Sequence, residues 1–278
     1  MAKVPMISYD SATGTRIFRD TFLTLWRHRE LVQLLVKRDI TVRYKRSFLG
    51  LLWTLLNPLL TSLVLWIVFI TVFSARLPDG TEFAPYLLAG VLLVTFFTQG
   101  FSQAADSIAQ GAGILMKIYV PPQVFAFASA ISNAVNFSFG LVALALVSFI
   151  TGDGMSWMFP LTVIVMLCML MYVTGLSLMV SILYIRYSDT RSIFAILISF
   201  MMYLSPVFYP KDILSETMLR VVNANPLTSY LDVFRHVFSN TGVATVGDWA
   251  YMSFSSALIF IIGIRVFANA WPRTAVML

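Results

Sequence analysis

The chain has 278 residues, of which 59% are hydrophobic and only 12% charged, with a formal net charge of +6 and a mean hydropathy of +0.83. An ordinary soluble domain carries roughly 25% charged residues, and a water-soluble fold could not cover this much apolar side chain. These values exclude a soluble enzyme, give no reason to expect a nucleic-acid partner, and leave one membrane domain over residues 1–278.

Residues 1–46 form a basic cytoplasmic or interfacial segment. No apolar stretch with a small-residue cleavage site follows the early charges, so no removable signal peptide is expected. Within 15–46, Phe18, Phe22, Leu25 and Trp26 recur at helical spacing beside Arg16, Arg19, Arg27 and Arg29, the pattern of an amphipathic helix in the inner headgroup layer. The run Lys37, Arg38, Arg43, Lys45 and Arg46 then meets the first span. It reads either as a topology signal touching anionic lipid or as a contact for a partner.

About 20 helical residues cross ~30 Å of hydrocarbon, and a charge at mid-span costs roughly 2.5–3.5 kcal/mol, so charge-free runs mark spans. Five such runs occur, at 47–75, 83–105, 118–152, 154–185 and 192–210. The third must begin beyond Pro121 and Pro122, which a regular helix interior does not accommodate. A sixth span, near 249–271, holds Arg265 close to one end, where a long side chain can reach the headgroups, and Trp249 and Trp271 suit the two interfaces. With the amino terminus inside, cytoplasmic segments hold 15 of the 19 Lys and Arg residues. The expected fold is therefore all-α and multi-pass, with six transmembrane helices over 47–271 and both termini cytoplasmic.

Two connecting segments are too long to be mere turns. Residues 110–122 combine a glycine hinge, a short apolar helix-sized piece and a proline stop. They form either a surface that another protein covers or a loop buried within the chain. On the outer side, 211–248 places Leu214, Met218 and Val221 at helical spacing, then Asn225 as a cap before Pro226 and a second helix through Tyr230 and Phe234. This pair either re-enters the outer leaflet or lies on it.

The sequence lacks a phosphate-binding GxxxxGK[ST] loop, so it cannot hydrolyse ATP by that route. Its two histidines, His28 and His236, fall on opposite faces, and its single cysteine, Cys168, lies in an apolar run, which leaves no metal or catalytic constellation. No ion-carrying acid sits at mid-span. Among polar residues, Gln99, Gln103 and Asp106 make one stripe on the second span, with Asn133 and Asn136 at the same depth on the third. They serve interhelical hydrogen bonding or a hydrated inner entrance to a path. Trp66, Phe69 and Phe73, then Phe97 and Phe101, then Phe200, Tyr203 and Phe208 recur at helical spacing. They either fill space or line a channel in which rings stack on sugar faces.

The stretches KRDITVRYKRSFLGLLWTLLNP (37–58), GILMKIYVPP (113–122), YIRYSDTRS (184–192), SPVFYP (205–210) and NPLTSYLDVFRHVF (225–238) together resemble the type-2 ABC permeases that export lipid-linked polysaccharides such as O-antigen, teichoic acid and galactan. The likeness runs from about residue 30 to the end. It implies a homodimer in the plasma (inner) membrane with two copies of a separate ABC ATPase; ATP and magnesium would sit on that partner, and this chain would bind no cofactor. It implies further that Arg38, Asp39, Arg43 and Tyr44 belong to an interface helix flanking the ATPase. Ile114, Leu115, Met116, Lys117, Ile118, Tyr119 and Val120 would form the coupling helix, the aromatics above with Gln99 and Gln103 the channel, and Asn225, Pro226 and Tyr230 an outer gate. Rival readings are a drug or lipid exporter of the same type and a membrane-embedded glycosyl- or acyltransferase.

Overall fold

The computed structural model describes residues 21, 23–45, 47, 49–50, 52–71, 83–117, 120–152, 154–239 and 244–275. Expectations placed on Phe18, Phe22, Phe73, Ile118 and Tyr119, and on the side chains of Tyr44 and Phe69, lie outside the described residues. What is described is helical, with no strand. The α-helices are α1 (Arg29–Tyr44), α2 (Leu52–Thr71), α3 (Phe83–Gln110), α4 (Ala112–Leu115), α5 (Gln123–Thr151), α6 (Thr162–Arg186), α7 (Thr190–Leu204), α8 (Glu216–Ala224), α9 (Pro226–Ser239) and α10 (Val246–Thr274).

Local chemistry sets the boundaries. Helix α5 starts directly after Pro121 and Pro122 and stops at Gly152, whose φ of 88° is a left-handed conformation that favours glycine. Thr245 and Asp248 form a reciprocal capping box at the start of α10, and Ser215 caps α8. Among the described residues, four helical stretches are long and apolar enough to cross a membrane: Phe83–Leu115, Gln123–Thr151, Phe159–Arg186 and Val246–Thr274.

The fifth apolar run, expected over 192–210, is helical only to Leu204. Pro206 disfavours helical backbone at the residue before it, and Ser205 accordingly has an extended ψ of 145°. The 15 residues of α7 reach about 22 Å, short of the hydrocarbon thickness. Helix α2, of 20 residues, carries Pro58 inside it.

Helices α6 and α10 cross at backbone contact. A Cβ on Gly175 would stand 2.5 Å from the Ile259 carbonyl oxygen, and one on Gly263 would collide with the Gly175 carbonyl. Small residues at such crossings let backbones approach in lipid, where no hydrophobic effect drives association. The main core joins α3, α5, α6 and α9 through fully buried Phe97, Phe101, Leu144, Met169 and Phe234. A second cluster, around Leu35, Ile108, Phe125 and Phe267, sits at the end of the bundle carrying α1 and α4.

Candidate functional site

At that end, α1 and α4 share one footing. Leu31, Val32 and Val36 of α1 and Ile114 and Leu115 of α4 are half-buried against the cluster containing Val124 and Phe125 at the start of α5. Gly111, between α3 and α4, lies so close to the Phe125 ring that a Cβ there would come within 2.8 Å of it. Beyond this anchor Met116 is 68% exposed, and Lys117 is exposed beside it. Val120 is half-buried against the same cluster. The segment thus buries one apolar side in its own chain and presents Met116 outward.

On α1, Arg38 and Asp39 pair with each other at 2.8 Å on the surface. Arg43 does something the sequence reading did not anticipate. Its guanidinium turns into the helix bundle, donating from Nη2 to Gln103 Oε1 and, at 3.5 Å, to Asn133 Oδ1. Asn133 in turn donates to Gln103 Oε1 at 3.0 Å and to the Ser129 carbonyl at 3.0 Å. The polar stripe is therefore an interhelical network between α3 and α5, with a cation from α1 added to it. It lines a cavity of about 610 Å³ between α1, α2, α3 and α5, which also receives Gln99, Asn57 and Thr61. One turn further on, Asp106 leaves the stripe and pairs with Arg191 of α7 at 2.6 Å.

At the opposite end, the extended segment after α7 folds over the first turn of α3, held by the Tyr86 hydroxyl, which donates to Pro206 O at 3.3 Å and Tyr209 O at 3.1 Å, and by Arg235. Arg235 of α9 has a relative exposure of 2% and donates from Nε to the Tyr86 carbonyl at 3.3 Å, from Nη1 to Pro206 O at 2.8 Å and from Nη2 to Val207 O at 3.0 Å. Its guanidinium carbon also lies 3.5 Å from the centre of the Tyr86 ring. Gly90 leaves room, since a Cβ there would come within 2.7 Å of Arg235 Nη2. Nearby, Lys211 pairs with Asp232 and donates to Asn223 at 3.0 Å.

Asn225, buried before α9, accepts from the Leu227 amide at 3.2 Å as the sequence suggests, and donates to Met201 O and Ser205 Oγ, each at 2.9 Å. Pro226 opens α9. Tyr230 is fully buried, its hydroxyl bonded to Ser256 and, at 3.2 Å, to the Cys168 carbonyl.

The sequence pattern that defines ABC-2 type transporters matches residues 30–239. The chain belongs to that family. It is 24% identical over 251 residues to the O-antigen export system permease protein RfbA of Klebsiella pneumoniae, covering 90% of this chain and 95% of that one. The RfbA of Myxococcus xanthus is 27% identical over 216 residues, covering 77% and 82%. The capsule polysaccharide export inner-membrane protein CtrC of Neisseria meningitidis is 22% identical over 261 residues, covering 91% and 96%.

In this ABC-2 chain the aromatics separate into two kinds. Phe97 and Phe101 have no exposed surface; Phe97 tilts against Tyr172 and Phe101 against Phe194, ring centres 6.0 Å apart in each pair. Both rings are packed in the main core of this chain. Phe200 and Tyr203 are instead 64% and 67% exposed on α7. Trp66 and Phe208 are half-buried against the cluster of Phe83, Tyr86 and Leu87. Tyr230, expected at the outer gate, is a buried residue joining α9 to α6 and α10. Arg235 was the residue missed. An arginine between two phenylalanines on a helix with Asp232 one turn before is the signal that could have marked it.

Proposed function

We propose that this chain is the channel-forming permease subunit of an ATP-driven exporter that moves a lipid-linked polysaccharide from the cytoplasmic side across the plasma membrane. The observation that carries the reading is the match to relatives named for O-antigen and capsule export along almost their whole lengths, 95% and 96%. In this reading two copies of the chain form the channel, α2 and the run 192–210, helical to Leu204 and extended beyond it, complete six spans per copy, and both termini are cytoplasmic.

Energy arrives from a separate ATPase, because the sequence has no phosphate loop of its own. That ATPase grips the exposed Met116 and the loop around it together with the Arg38–Asp39 surface of α1. Closure of the nucleotide-bound pair displaces both, and their common footing on Phe125 passes the motion to α5 as one unit. Rings exposed on α7, with Phe69 and Phe73 on or after α2, offer weak stacking contacts to a passing glycan, and the Asn225–Arg235 region opens at the outer mouth.

Depletion of the protein in its native host tests this. A lipid-linked glycan should accumulate on the cytoplasmic side, and an ATPase with a phosphate loop should co-purify with the tagged chain in equal amount. A normal surface glycan in depleted cells, with no ATPase recovered, overturns the reading.

A further inference from the structure

The cavity at Arg43 has a composition that the exporter reading does not by itself require. Arg43 stands among neutral amides: its recorded partners, Gln103 and Asn133, offer carbonyl-type oxygens, and among the described residues no carboxylate pairs with it. Both of those bonds leave from Nη2, so the Nε and Nη1 edge has no recorded bond. Two acidic residues one helical turn from this network are engaged elsewhere. Asp39, one turn before on α1, holds Arg38, and Asp106, one turn after Gln103 on α3, holds Arg191.

A guanidinium held in a cleft between helices, without a counter-ion, favours an anion whose oxygens match its fork. The rest of the lining suits the same guest. Gln99 and Asn57 are exposed amides, Thr61 supplies a hydroxyl, and about 610 Å³ falls within the roughly 300–1,000 Å³ of small-molecule sites. The apolar side of α2 beside it, including exposed Leu60 and Val64, would accept a hydrocarbon tail.

We propose that this cleft binds the phosphate-bearing headgroup of a lipid on the cytoplasmic side, with Arg43 pairing with the phosphate and Gln103 and Asn133 holding the guanidinium in place. The assignment rests on the exporter reading only for the lipid's identity; the site itself rests on the geometry. Two sources carry the same chemistry, the isoprenoid diphosphate end of a lipid-linked glycan and an ordinary anionic phospholipid.

The test uses the full-length chain purified in phosphatidylcholine nanodiscs, with binding measured for a long-chain isoprenyl diphosphate, for the matching uncharged isoprenol and for phosphatidylglycerol. The diphosphate or phosphatidylglycerol should bind at least tenfold more tightly than the isoprenol, and whichever of the two is preferred identifies the source. Arg43→Gln should remove that preference. Asn57→Asp, on an exposed position of α2, should weaken it at least threefold by placing a like charge beside the phosphate without touching the Arg43 contacts. Equal binding of all three lipids, or wild-type binding by both variants, overturns the site. Failure of the exporter reading looks different: depleted cells would display surface glycan normally whatever the nanodiscs show.

Discussion

Substituting Gly175 by alanine isolates the crossing of α6 and α10 from every other contact in the protein. The added methyl would sit 2.5 Å from the Ile259 oxygen, 2.6 Å from the Phe260 Cα and 2.7 Å from the Ile259 carbonyl carbon. A carbon–oxygen contact relaxes near 3.4 Å, so the helices must part by about 0.9 Å. All three obstacles are backbone, which no rotamer change can move aside. Alanine gains about 0.5–1 kcal/mol of helix propensity over glycine, whereas overpacking costs about 1–3 kcal/mol and sometimes more. The net expectation is a loss of about 1 kcal/mol, equivalent to roughly 2–4 °C in a domain of this size. Gly113 provides the control, since it is also helical, yet a Cβ there meets nothing within 4 Å. Thermal unfolding of the two purified variants in one detergent, followed by tryptophan fluorescence, compares them directly. Melting of Gly175→Ala at or above the Gly113→Ala midpoint would refute the close-crossing argument.

Arg235→Lys should lower stability by about 2–4 kcal/mol, because one ammonium cannot serve the three carbonyls that the guanidinium fork reaches, and each charge-assisted bond is worth about 1.5–3 kcal/mol; an unchanged melting curve counts against the latch. Tyr230→Phe removes the hydroxyl that joins α9 to Ser256 and Cys168, with an expected loss of about 1–2 kcal/mol read in the same melting assay. Met116→Asp, at an exposed position, should leave unfolding within about 0.5 kcal/mol of wild type while abolishing surface glycan and ATPase co-purification. Wild-type export in that variant removes the coupling role.

Elements governed by neighbours in sequence were legible before the fold was known. Pro121 and Pro122 set the start of α5, Asn225 caps α9, and the charge-free runs located the four long apolar helices. The end of α7 was legible in principle at Pro206, yet hydropathy averages over a proline and overran it. The destination of Arg43 was not legible, because its acceptors lie 60 and 90 residues away and only the packing of α3 on α5 brings them together. Arg235 was hidden for another reason. The three acceptors described for it are main-chain carbonyls, two of them on residues 206 and 207 after α7 has ended, and side-chain pattern does not announce a main-chain acceptor. Channel aromatics posed the converse difficulty, since periodicity places a ring on a helix face without saying which neighbour covers it.

One carboxamide, Asn225, grips the tail of α7 with its nitrogen while its oxygen starts α9. A carboxylate could only accept, and a hydroxyl has one proton for the two oxygens that the amide nitrogen reaches. The tail of α7 is thereby tied to the start of α9, and Arg235, on α9, extends the tie to the first turn of α3. Three helix ends are pinned to one another by two side chains that lie ten residues apart in the chain.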